Sequence, residues 1–105
     1  MITVFSLLLF FWLHGQPQPC EVYGRIFEVD DPIEAHFIVY EGTEAFADLV
    51  VYEQRNRLYA DKQGMWYFEE QKENARYRVF FTDKESEADF VVYFTRFESF
   101  AGCDQ

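Results

Sequence analysis

Beyond Cys20, the side chains that most often carry chemistry are sparse. The aliphatic hydroxyls there are Thr43, Thr82, Thr95, Ser86 and Ser99, and the one imidazole is His36. A nucleophile needs a base within hydrogen-bond reach and a third group to orient that base. No strand–turn–helix nucleophile motif appears. His36 takes a position held by Asp48, Asp61 and Asp89 in neighbouring segments, so it reads as a solvated turn residue. Two acidic runs, "EVDDPIE" from Glu28 and "DKESEAD" from Asp83, offer oxygen ligands. Neither follows the calcium loop, which has twelve positions and a central glycine. Zinc wants clustered Cys and His, whereas Cys20, Cys103 and His36 are far apart in sequence. Paired carboxylates cleave glycosides only across a cleft, which no spacing here implies. The expectation is a protein that is not an enzyme and carries neither metal nor cofactor.

The whole chain has nineteen acids against nine bases, a net charge of −10. That excludes nucleic-acid binding, which needs a basic stripe to displace counterions. It fits solubility, or a basic partner steered in by the field. The start differs in character: "ITVFSLLLFFWL", Ile2 to Leu13, is unbroken apolar sequence, and the first charge is Glu21. As a helix it would span ~18 Å, short of the ~30 Å hydrocarbon core. It has the length of a signal-peptide core, although no Lys or Arg precedes it, and is followed by Gly15 and "QPQP". The expected organisation is a signal peptide at 1–15, a linker at 16–21 and one repeat domain at 22–103. The product would be periplasmic or extracellular, with no stable membrane span after processing. Cys20 and Cys103 flank the domain, and an even cysteine count in an exported chain favours a disulfide. Lipidation of Cys20 is the competing reading.

What positions these residues is a repeat. "ESEADFVVYF" at Glu85–Phe94 is echoed by "EAFADLVVYE" at Glu44–Glu53. Aligning on alanine gives a column of Ala35, Ala47, Ala60, Ala75, Ala88 and Ala101. Upstream of each sits an aromatic: Phe27, Tyr40, Tyr52, Tyr67, Phe80 and Tyr93. Just before that comes Ile26, Val39, Val51, Trp66, Val79 or Val92. The one long interval holds "DKQGM", Asp61 to Met65, which reads as a surface excursion. Each unit has a β-branched, aromatic half that favours a strand and a polar half that reads as a short helical return leg. Asp83 is placed to cap one such turn, and the small alanines would let the legs sit close to the strands. Units that cannot bury their apolar face alone stack on their neighbours.

The predicted fold class is α/β: six units of about thirteen residues stacked as a parallel, solenoid-like sheet with a ladder of aromatics. The rival is an all-β antiparallel meander or small closed barrel, which strand spacing permits but hairpin signals do not support. The stretch "EADFVVYFTRFESFAG" resembles an uncharacterised bacterial repeat family catalogued as domain of unknown function 6150. The resemblance covers Val22 to Gly102 and departs at Cys103, which stands in place of an aromatic. It implies a repeat fold and no reaction.

The functional expectation is an exported, non-catalytic binding module, of the inhibitor or immunity type, for a basic protein. The alternative is a structural repeat protein that pairs with copies of itself. Aromatics at 21% of the chain mean a covered strand face, or a partly exposed one that binds. The cysteines and the open stack conflict. Five steps of ~4.8 Å separate the ends by roughly 24 Å, whereas a disulfide needs Cα atoms within about 7 Å. The open array is the favoured side of this conflict.

Overall fold

The computed structural model describes residues 17–103, so the leader and the cleavage expected after residue 15 lie outside the described residues. Six strands alternate with short 3₁₀ turns. The strands are β1 (Gly24–Glu28), β2 (Phe37–Glu41), β3 (Leu49–Glu53), β4 (Met65–Phe68), β5 (Tyr77–Phe81) and β6 (Phe90–Phe94). The turns are η1 (Pro19–Glu21), η2 (Pro32–Glu34), η3 (Glu44–Phe46), η4 (Arg57–Tyr59), η5 (Lys72–Asn74), η6 (Glu85–Glu87) and η7 (Glu98–Phe100). The return legs are too short to recover the cost of an α-helical nucleus, so each closes one 3₁₀ turn and stops. Asp31 and Asn56 cap two of them, each accepting the N–H two residues on at 3.0 Å. At η6 the expected cap is displaced. Lys84 holds the cap position, and its N–H donates to the Thr82 hydroxyl at 3.1 Å rather than any group engaging Asp83.

The sheet is a closed barrel in the order β1–β4–β3–β6–β2–β5, with β5 pairing back to β1. The open stack is therefore corrected. The strands are parallel, as that reading required, but they close, as only its rival allowed. The antiparallel pairing of the rival is reduced to one isolated bridge between Val50 and Gly102. No α-helix accompanies the strands among the described residues, so the α/β description gives way to a barrel with 3₁₀ turns.

Closure follows from how the chain winds. β1, β2 and β3 take every second place around the ring, and β4, β5 and β6 fill the gaps on a second lap. η2 and η3, on the first lap, pack against β5 and β6 of the second. η6 and η7, on the second, pack against β2 and β3 of the first. Arg76, which follows η5, donates its N–H to the Arg25 carbonyl of β1 at 2.7 Å. Each lap thus runs outside the other.

The "DKQGM" excursion makes the interleaving possible. After η4 the chain reaches β1, where the Ala60 carbonyl lies 3.6 Å from the place a Gly24 side chain would occupy. It then turns back to Gly64, whose carbonyl accepts the Tyr52 N–H of β3 at 2.8 Å, and enters the slot between them. Gly64 has φ +81°, and a Cβ there would meet the Gly102 nitrogen and lie 2.7 Å from the Val50 oxygen. A residue with a side chain has no room in that passage.

The registers are staggered. Ile26 pairs with Phe68 on one side and Tyr77 on the other, so the strands tilt across the barrel axis. Equivalent repeat positions then share a layer. Ile26, Val39, Val51, Trp66, Val79 and Val92 form the middle layer, all fully buried. Below, where the strands begin, Phe37 packs on Tyr77 and Phe90 at 5.6 and 5.7 Å between centroids. The Trp66 indole N–H donates to the Val22 carbonyl at 2.7 Å, and Val22 itself is fully buried. Cys20 and Cys103 are joined there, with Cα atoms 5.6 Å apart across a sequence separation of 83. The barrel brings the ends together, which removes the conflict, and the bridge occupies the sulfur that lipidation would need.

Candidate functional site

The three strands of the first lap end in Glu28, Glu41 and Glu53, and those of the second end in Phe68, Phe81 and Phe94. Because the laps interleave, carboxylates and rings alternate around the upper mouth of the barrel. The rings meet at the centre. Their centroids are 6.1 to 6.5 Å apart and their planes tilted by 40 to 43°. Trp66 supports them from below, edge-on to Phe68 and Phe94 at 6.0 Å. Tyr40, Thr82 and Asp83 complete an open depression of about 580 Å³ above this floor.

The chemistry of the mouth follows from its parts. Ring faces carry the negative end of the aromatic quadrupole and attract cations, most strongly when shielded from water. The three glutamates stand exposed around the rings and add negative charge without converging on one point. Among the described residues no group of three Asp, Glu, His or Cys is placed to hold a metal ion. A cationic side chain or ammonium group is what such a surface attracts.

The residues singled out in sequence lie elsewhere on the barrel. Phe27, Tyr40, Tyr52, Tyr67, Phe80 and Tyr93 are half-buried on strand positions next to the middle layer, so they face outward under the return legs. Only Tyr40 also lines the mouth. The ring–ring contacts found are made mainly by interior aromatics, not by a ladder of this outer column. Ala35, Ala47, Ala60, Ala75, Ala88 and Ala101 each follow a 3₁₀ turn and donate their N–H to its first carbonyl, at 3.1 to 3.4 Å. The column therefore marks where each leg leaves its turn for the next strand.

His36 has a defined partner. Its Nδ1 accepts the Arg78 backbone N–H at 2.9 Å, while the His36 backbone N–H donates to the Arg78 carbonyl at 2.7 Å. Asp48 does the same to Val91, and Asp89 to Ile38, with side-chain bonds of 2.8 and 2.7 Å. These residues clamp each leg to the strand it crosses. Burial and the nearby Arg78 hold the His36 pKa below its ordinary value, in keeping with a neutral acceptor.

A family model described as the 7(1) septoil knot domain matches residues 19–104. The chain belongs to the septoil knot family. This corrects the resemblance to domain of unknown function 6150, because the matching model is the septoil knot and spans nearly the whole described chain. The interleaved laps give the name a physical content in this chain, since each lap's legs pass outside the other's strands. Chains of this kind are exceptions to the rule that folds avoid knots. No curated protein and no solved structure matches.

The mouth of this septoil knot went unnoticed in sequence, although its signal is plain once the winding is known. The residue after each outer aromatic is Glu in the first three units and Phe in the last three. Without the interleaving that pattern reads as a difference between halves, not as an alternating ring.

Proposed function

We propose that this septoil knot is an exported, non-catalytic binding module whose upper mouth receives a basic side chain of a partner protein. The observation that carries the reading is the alternation of Glu28, Glu41 and Glu53 with the Phe68, Phe81 and Phe94 rings around one open depression. A lysine or arginine seated there gains contact with ring faces, each worth ~0.5–2 kcal/mol depending on desolvation. The surrounding carboxylates speed and orient the approach more than they add affinity. The net charge of −10 extends the attraction to ~8–10 Å at physiological salt. The Cys20–Cys103 bridge supports an oxidising compartment. An inhibitor or immunity-type role is the form this binding takes in the reading.

The test is an NMR titration with hexalysine and hexaarginine peptides. The Phe68, Phe81 and Phe94 ring resonances should shift together and saturate, and Phe81→Leu should weaken the binding by about tenfold. Shifts confined to the return legs, leaving the ring resonances still, refute the mouth as the site. Glu28→Gln with Glu41→Gln and Glu53→Gln should lower the association rate and flatten its salt dependence.

A further inference from the structure

We infer that the flank of the barrel formed by η3, η7 and η4 is the surface at which two copies of this chain meet. These legs lie over neighbouring strands. η3 packs on β6 and η7 on β3, while Arg57 of η4 stacks over Tyr67 of β4 at 5.9 Å. In the ring β6, β3 and β4 are consecutive. Five of the six large apolar side chains found exposed belong to these legs: Phe46, Leu58, Tyr59, Phe97 and Phe100. Phe97 and Phe100 stack edge-to-face at 5.4 Å, yet each remains about 60% exposed. Rings that gain a partner within their own leg and still face water form a patch of the kind that marks an interaction surface.

Charge identifies the occupant. The legs at 42–48, 54–63 and 95–101 carry four acids and four bases, so this flank is neutral in a chain of net charge −10. The legs at 29–36, 69–76 and 82–89 carry ten acids and three bases and cover the opposite side, over β5, β1 and β2. The repulsion that would keep two such acidic molecules apart is thus confined to their far sides. A basic partner is drawn to the acidic side and a negatively charged surface is repelled by the whole. A second copy meets a neutral, apolar face at less electrostatic cost than the acidic side would impose.

The mixed charges favour a two-fold contact, in which a patch faces itself. Arg55 and Arg96 of one copy can then lie against Glu44 and Glu98 of the other around an apolar centre. Three neighbouring legs supply a surface of the scale of a standard interface, ~20–30 residues a side. The upper mouth stays open, so this pairing does not compete with binding there.

The test is sedimentation equilibrium of the full chain, expressed for export and purified with its disulfide intact. The wild type should show a concentration-dependent dimer. Leu58→Asp, and separately Phe97→Ser with Phe100→Ser, should raise the dissociation constant at least tenfold with Trp66 fluorescence unchanged. Ile33→Ser provides the control, because Ile33 is 89% exposed but lies on η2 over β5, and it should dimerise as the wild type does. A wild-type monomer at ~1 mM, where even a weak pair would associate, overturns the inference. So does a dimer that survives both flank variants, or a monomer that sediments with phosphatidylcholine vesicles.

Discussion

Replacing both Cys20 and Cys103 by serine tests how far the closed barrel depends on its covalent tie. The bridge spans a sequence separation of 83. By the loop-entropy relation, releasing a loop of that length costs about 4.5 kcal/mol, mostly by enlarging the unfolded ensemble. A domain of this size has a total stability of about 5–15 kcal/mol, so the variant should sit near the edge of folding. Urea melts followed by tryptophan fluorescence give the readout. Trp66 is fully buried and bonded to the Val22 carbonyl, close to the bridge, so its emission should report loss of both core and lower end. The midpoint should fall steeply, and the dependence on urea should steepen because the uncrosslinked chain exposes more surface. A loss below ~1 kcal/mol would refute the argument, since it would mean that the unfolded chain is confined by something other than the bridge.

Gly64→Ala should be among the most damaging single substitutions. A Cβ there meets the Gly102 nitrogen and the Val50 oxygen at a positive φ, and failure to recover folded protein, or a loss above ~3 kcal/mol, is the expected result in the same melts. Ala88→Leu should cost ~1–3 kcal/mol by crowding the leg that crosses β2, whereas Glu87→Leu, exposed beside it, should cost less than ~0.5 kcal/mol. Equal tolerance at the two positions would contradict the assigned face. His36 should give a pH signature. Its folded pKa lies below 6.5, so the unfolded chain binds the proton more readily. The contribution is present above about pH 6.5 and lost as pH falls through the folded value. Stability measured between pH 7 and 5 should decline less in His36→Asn, which keeps an acceptor without titrating.

Much of the fold was written in the repeat. The column Ile26, Val39, Val51, Trp66, Val79 and Val92 is the middle layer of the barrel. The alanine column marks the exit of every return leg, where each alanine N–H closes its 3₁₀ turn. Closure was not legible, since strand order around a ring is decided by which legs pass over which strands, and no local propensity records that. "DKQGM" was visible as an interruption, but its role needs Gly64 lodged against Gly102 and Val50, a contact between residues remote in sequence. The mouth was hidden for the same reason. Glu28, Glu41 and Glu53 come from one lap and the three phenylalanines from the other, so their alternation exists only after the laps interleave. His36 is an exposed bend residue, as the repeat implies, but its bond to the Arg78 backbone was not legible because the two lie 42 positions apart.

The bond between Cys20 and Cys103 acts on topology as well as on stability. It turns a doubly wound chain into a closed ring, and a ring cannot change its knot type unless a bond is cut. Urea or heat can therefore dissolve every strand pairing and still leave the oxidised chain entangled, carrying a record of its native winding that no hydrogen bond stores. Such a chain refolds without threading its ends again. Reduction frees both ends, and a long-denatured reduced chain must thread afresh. The order of events during maturation then becomes decisive. Oxidation after threading latches the winding in place, whereas oxidation before it would seal an unknotted ring that has no path to this barrel.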